Sequence, residues 1–239
     1  MAMDAFNLAE KFQTLVFVLS DLDLGMNNWM SDPFPYPESP IERGKVLTKE
    51  DLSKLGSFSR YKDVDGDAIG YRTLPGTQHP AAAYFTRGSG HNAQAQYSER
   101  AEDYEGNMER LRRKFEHARS FVPTPVVETS PNAEIGIIGF GSSHWALTET
   151  RDQLLDEHKL STDYLRIRAF PFSPDIADFV RSHKRVYVVE QNRDAQMFSL
   201  LKLDLDTDLV PKLRSVARLD GLPIDARSVT EDITAMEVK

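Results

Sequence analysis

At 239 residues and 40% hydrophobic content, the chain can hold one large domain or two small ones, with a packed core. The complete absence of Cys excludes disulfides, thiolate zinc sites, cysteine-held iron–sulfur clusters and cysteine nucleophiles from this chain. A net charge of −8 argues against nucleic acid as a partner; no apolar run reaches the roughly 18 residues of a membrane span.

The opening segment, MAMDAFNLAEKFQ, has neither the basic nor the apolar region of a signal peptide, so the expected location is cytoplasmic. Ala5, Leu8, Ala9 and Phe12 recur at helical spacing and predict a helix over 4–12. Residues 15–19 (LVFVL) form a continuous apolar run and predict a strand buried on both faces. Such a strand either joins the later sheet or ends a β-α-β piece of another domain. Asp21 and Asp23 follow it, as turn formers or as ligands at a strand's carboxyl end.

Residues 31–44 carry four prolines and predict an extended linker. Thr48 reads as the N-cap of a short helix. The run 63–67 (DVDGD) invites a calcium reading, but Gly66 and Leu74 fall where an EF-hand needs other spacing. A hairpin across 61–71 is expected instead. Residues 74–99 combine His, Arg, Gly, Ser and aromatics in a span too long for a routine connection. Arg87, His91 and Asn92, with Gly88 and Gly90 between, suit an anion such as a carboxylate. The plain alternative is a packed surface loop. Residues 99–119 predict a helix with an apolar stripe of Tyr104, Met108, Leu111 and Phe115, and a solvated basic face toward its end.

The apolar runs 135–140, 164–170 and 186–189 alternate with helical segments. They predict neighbouring parallel strands in an α/β sheet. Gly139 and Gly141 supply two of the three glycines of a dinucleotide fingerprint, with His144 at the place of the third. A tight turn whose helix is capped by Ser142 or Ser143 is the simpler reading, with N–H groups free for an anion or a partner carboxylate. Ser173 and Pro174 give a second helix start. Residues 190–194 (EQNRD) place five polar side chains at the carboxyl edge of a parallel sheet, so Asn192 and Arg193 join Ser142 and His144 as ligand or interface candidates. No Gly-x-Ser-x-Gly elbow and no His-x-x-x-His pair occurs. No metal ligands and no catalytic residue are assigned. A further strand is expected over 216–219, and residues 227–233 begin a last short helix or a tail.

Five segments, SDLDLGMNNWM (20–30), DVDGDAIGYRTLPGTQHPAAAYFTRGSGHN (63–92), NMERLRRKFEHAR (107–119), FGSSHWALTETRDQL (140–154) and VYVVEQNRDAQM (186–197), together resemble the alpha subunit of 2-oxoacid:ferredoxin oxidoreductases, especially the 2-oxoglutarate type. The resemblance covers nearly the whole chain. It implies oxidative decarboxylation of a 2-oxoacid with coenzyme A to an acyl-CoA, electrons passing to ferredoxin. It implies an α/β fold: a transketolase C-terminal-like parallel-sheet domain over 132–239, preceded by the tail of a thiamine-diphosphate-fold pyrimidine domain (1–30) and a long linker (31–131). It implies a beta subunit as partner, holding most of the thiamine diphosphate, its magnesium ion and an iron–sulfur cluster. This chain alone is then expected to hold no cofactor and to be inactive. Most of the family's pyrimidine domain has no counterpart in these residues. The alternative is a non-catalytic assembly module for partner subunits.

Overall fold

The computed structural model describes residues 1–238. Its elements, in chain order, are α1 (Ala2–Phe12), α2 (Leu22–Met26), α3 (Lys49–Leu55), α4 (Ala101–Ala118), β1 (Val126–Glu128), β2 (Ile135–Phe140), α5 (His144–His158), β3 (Thr162–Ile167), α6 (Asp175–Ser182), β4 (Arg185–Glu190), α7 (Gln196–Asp204), β5 (Leu213–Ala217) and α8 (Ala226–Glu237). They divide into two units, Met1–Val18 with Asp32–Phe121, and Leu19–Ser31 with the chain from Val122 on.

The first unit has a small apolar centre: Phe12, Ile69 and Ala118, with Leu8 against it. Most of its cohesion is polar. Glu10 on α1 pairs with Arg72 and with Arg43. Lys45 Nζ lies 2.6 Å from Asp65 Oδ2 and 2.7 Å from Asp67 Oδ1. The acidic run that invites a calcium reading is thus closed by an ammonium. The expected hairpin across 61–71 does not form. Asp63 folds back to accept Gly66 N–H at 2.9 Å, and Arg72, just past the run, forms an isolated bridge with Val46 instead. Thr48 caps α3 in a reciprocal capping box with Asp51, as its sequence predicts.

Helix α4 forms where expected but faces the other way. Tyr104, Met108 and Phe115 are exposed, Tyr104 by 60%, whereas Lys114 is 6% exposed. The basic face turns inward because this unit offers carbonyls and carboxylates rather than an apolar floor. Lys114 Nζ donates to the Phe12 carbonyl at 3.1 Å, Arg110 to the Ala68 carbonyl at 3.4 Å, and Arg113 to Asp63 at 2.7 Å.

The strand expected over 15–19 is also absent. The segment has no regular structure, and Leu15 and Leu19 are 81% and 87% exposed. Apolarity alone does not make a strand where no neighbour accepts the ladder.

The second unit is a five-stranded sheet of order β1-β3-β2-β4-β5. Strand β1 is antiparallel to β3; the other pairs are parallel. Ile137 lies opposite Tyr164 on one side and Tyr187 on the other. The three strands read from the sequence are therefore adjacent and parallel. A fourth, β5, begins three residues before its expected start. Both faces are covered. Ile138, Leu165 and Val188 pack with α6 and α7 residues such as Phe179, Val180 and Leu201. Ile137, Tyr164 and Tyr187 pack with Leu147 and Leu154 of α5 and Val229 and Ile233 of α8. Sheets buried on both faces carry near-continuous apolar strands, which is why these runs were legible. At α6, Pro174 takes the cap position and the Ser173 hydroxyl donates instead to Asp175 at 2.8 Å.

Two glycines set how closely helices approach the sheet. A Cβ on Gly139 would lie 2.2 Å from Leu147 Cδ1, and one on Gly136 would lie 2.6 Å from the Phe179 ring. Gly139→Ala should therefore destabilise the fold by about 1–3 kcal/mol, the usual cost of overpacking a filled core. Urea unfolding with an unchanged m-value and a lower midpoint is the expected result.

A second outcome concerns Lys114, whose ammonium burial pushes down to about 8, with Arg110 and Arg60 adding to the shift. The unfolded chain keeps that proton up to about 10.4. Between these values the unfolded state binds more protons, so this group's contribution to stability rises with pH. Subtracting the pH–stability curve of Lys114→Met from that of the wild type should leave a positive slope from about pH 8 to pH 10.

Candidate functional site

The carboxyl edge of the sheet gathers the loops after β2, β3 and β4. After β2 the chain turns through Gly141, at φ +60°, into a 3-10 turn (Gly141–Ser143) that leads into α5. Asp21, the N-cap of α2, reaches this turn. Its Oδ1 accepts Leu24 N–H at 2.9 Å and its Oδ2 accepts Ser142 N–H at 3.1 Å. Hydrogen bonds from Ser142 and Leu24 hold the Asp21 carboxyl below its ordinary pKa. One carboxylate thus caps two helical starts and ties residues 19–31 to the sheet. Of the two sequence readings of Asp21, turn former is the one observed.

Beside this turn lies a cleft of about 180 Å³, lined by Asp23, Asn27, Trp29, Ser142, Trp145 and Gln191, among others. Trp29 and Trp145, the two Trp residues of the chain, stack at 5.9 Å with an interplanar angle of 21°. Next to Trp145, the His144 ring stacks on Tyr164 at 5.7 Å and 14°, with Nδ1 3.3 Å from the phenol oxygen. Burial, then the Arg166 guanidinium, hold His144 below its ordinary pKa, and burial pushes the Tyr164 phenol up to about 12. Both are neutral near pH 7.

The loop after β4 is used from within. Glu190, 1% exposed, accepts Met197 and Phe198 N–H at 2.8 and 3.0 Å and the Asn192 amide at 2.6 Å. Asn192 in turn accepts Asp194 and Gln196 N–H through Oδ1. The N-terminus of α7 therefore already holds its anion. Arg193 is exposed and pairs with its neighbour Asp194 at 2.7 Å. Four candidates, Ser142, His144, Asn192 and Arg193, share this edge, but only Ser142 lines the cleft.

The fingerprint glycines have structural work. Gly139 admits Leu147, and a Cβ on Gly141 would lie 3.2 Å from Asp21 Oδ2. The anion that a nucleotide phosphate would supply at this turn is Asp21.

In the first unit, the loop 86–98 is organised by Asn92 and His91. Asn92 Oδ1 accepts Gln94 and Gln96 N–H, both at 3.0 Å, and Gly90 O accepts Ser98 N–H at 3.2 Å. The His91 ring stacks on Tyr61 at 3.9 Å, and its carbonyl accepts the Asn107 amide at 2.6 Å. Both side chains are engaged in holding the loop. Arg87 differs. It is exposed, lies over the Tyr97 ring at 5.9 Å, and pairs with no carboxylate among the described residues.

Among the described residues no group of three or more His, Cys, Asp or Glu is placed to hold a metal ion. Asp21 and Glu190 fill the helix starts where a diphosphate would bind.

The sheet order, the mostly parallel strands and the helices on both faces define an α/β fold. One solved structure with this fold is a 2-oxoglutarate:ferredoxin oxidoreductase from Magnetococcus marinus with 2-oxoglutarate, coenzyme A and succinyl-CoA bound. It is similar over 96% of this chain at 24% identity and a TM-score of 0.77. This chain spans 38% of the length of that one. The alpha chain of a probable 2-oxoacid ferredoxin oxidoreductase from Thermoplasma acidophilum matches 48% of this chain and 98% of its own length, at 21% identity and a TM-score of 0.33. That second likeness carries no weight here. No family model and no curated protein matches the chain. No helix among the described residues is long and apolar enough to cross a membrane.

The Asp21 contact has a direct readout. Asp21→Ala removes a cap worth about 1 kcal/mol and releases the segment that carries Trp29. The circular-dichroism signal of the stacked Trp pair should disappear while the backbone signal is kept.

Proposed function

We propose that this chain is part of the alpha subunit of a 2-oxoglutarate:ferredoxin oxidoreductase. Such an enzyme decarboxylates a 2-oxoacid, transfers the acyl group to coenzyme A and passes electrons to ferredoxin. The observation that carries this is the agreement of the Magnetococcus marinus chain with 96% of this one, through the segments whose sequence resembles that family. In this reading residues 132–239 are the transketolase C-terminal-like domain. In the same reading the beta subunit holds most of the thiamine diphosphate, its magnesium ion and the iron–sulfur cluster.

Arg87 is the group we assign to the 2-oxoacid. Its guanidinium fork donates two parallel hydrogen bonds to a carboxylate and has no internal acid to leave. His91 and Asn92 hold the loop that presents it. Losing the fork should cost roughly 1.5–3 kcal/mol, about tenfold to a hundredfold in kcat/KM. In the complete complex, Arg87→Lys should raise KM for 2-oxoglutarate and leave pyruvate less affected. Unchanged kinetics for both substrates would remove Arg87 from the site.

The chain by itself should neither bind thiamine diphosphate nor turn over 2-oxoglutarate. Calorimetry is the check, and micromolar binding to the isolated chain would contradict the proposal.

A further inference from the structure

Three cations of the first unit, Arg60, Arg110 and Lys114, lie close enough to repel one another, and none pairs with a carboxylate among the described residues. Arg60 makes no hydrogen bond or ion pair among the described residues; its guanidinium lies 4.7 Å from the Tyr61 ring centroid and 5.8 Å from that of Tyr84. Arg110 lies 5.4 Å from the same Tyr61 centroid. The His91 ring also stacks on Tyr61, at 3.9 Å. Arg110 makes one long hydrogen bond, 3.4 Å to the Ala68 carbonyl, and its Nε is buried with no acceptor. Lys114 stands one turn along α4 with a single acceptor, the Phe12 carbonyl.

Asp63 attracts Arg110 electrostatically but makes no ion pair with it. Asp63 is taken by Arg113 at 2.7 Å and by Gly66 N–H at 2.9 Å. A helix-capping role accounts for Lys114, which closes the carboxyl end of α1. It accounts for neither Arg60 nor the orphaned Nε of Arg110. Holding like charges together, partly out of water and unpaired, is costly, and an unsatisfied buried donor adds to the cost. The ring face offsets part of it by cation–π attraction. An anion would offset far more, because each guanidinium edge can donate a bidentate pair.

We propose that Arg60 and Arg110, set over the Tyr61 ring with Lys114 behind them, form a binding site for a small oxyanion, phosphoryl or carboxylate. Arg87 lies over a different ring, Tyr97. The site does not depend on the oxidoreductase reading.

The test is thermal unfolding and calorimetry of the full chain with sodium phosphate, pyrophosphate or succinate against sodium chloride at matched ionic strength. Ligand at about ten times Kd should raise Tm by a few degrees, because binding to the folded state alone stabilises it. Arg60→Gln removes a side chain that no other residue bonds, so it should fold normally and bind at least about tenfold more weakly. Arg112→Gln, an exposed change on the same helix, should bind as the wild type does. A response to phosphate and pyrophosphate alone assigns a phosphoryl ligand; a response to succinate alone assigns a carboxylate. Stabilisation no greater than that by chloride, or equal binding by Arg60→Gln and wild type, would overturn the site.

Discussion

The carboxyl edge of the sheet depends on how closely β2 and α5 meet at Gly139. With no Cβ there, Leu147 seats against the strand, and the helix start is drawn tight onto the strand end. The turn between them must then be abrupt, and Gly141 supplies its left-handed residue. That geometry turns Ser142 N–H outward to meet Asp21, and it sets Trp145 where Trp29 can stack. A single missing methyl group thus governs the helix packing, the turn and the cleft.

Both helix starts described at this edge are closed by the protein's own carboxylates. Asp21 serves the turn before α5 and Glu190 serves α7. Helix N-termini attract anions because unpaired N–H groups and the macrodipole converge there. Filling them internally stabilises the fold and withdraws them from phosphate binding. What the edge still offers is a cleft with two stacked indoles, amides and one carboxylate, next to a neutral His–Tyr pair. The first unit is built on the opposite balance. Its interior is rich in cations that meet carbonyls, and its apolar helix stripe faces out.

Much of the second unit was legible in the sequence because its strands are buried on both faces. Runs such as Ile135–Phe140 then read as continuous apolar segments with helices between them. The first unit was less legible for the same physical reason. Its core is small and polar, so apolar periodicity gave the position of α4 but the wrong facing, and residues 15–19 looked like a strand with no partner to pair with. The candidate residues divide similarly. Asn92 and Asn192 were conspicuous as polar loop residues, yet each is consumed by backbone N–H groups of its own turn. Arg87 is the one whose guanidinium remains unpaired. The role of Arg110 was not legible, because it follows from burial and from partners distant in sequence such as Ala68.

The proposal to be tested is that this chain is part of the alpha subunit of a 2-oxoglutarate:ferredoxin oxidoreductase. The most direct measurement mixes the purified chain with the beta subunit and a pyrimidine domain of such an enzyme, and follows ferredoxin reduction dependent on 2-oxoglutarate and coenzyme A. The account predicts that all three components co-elute and that reduction requires this chain. Stable association without any reduction would show an assembly module instead, and failure to associate would contradict the account outright.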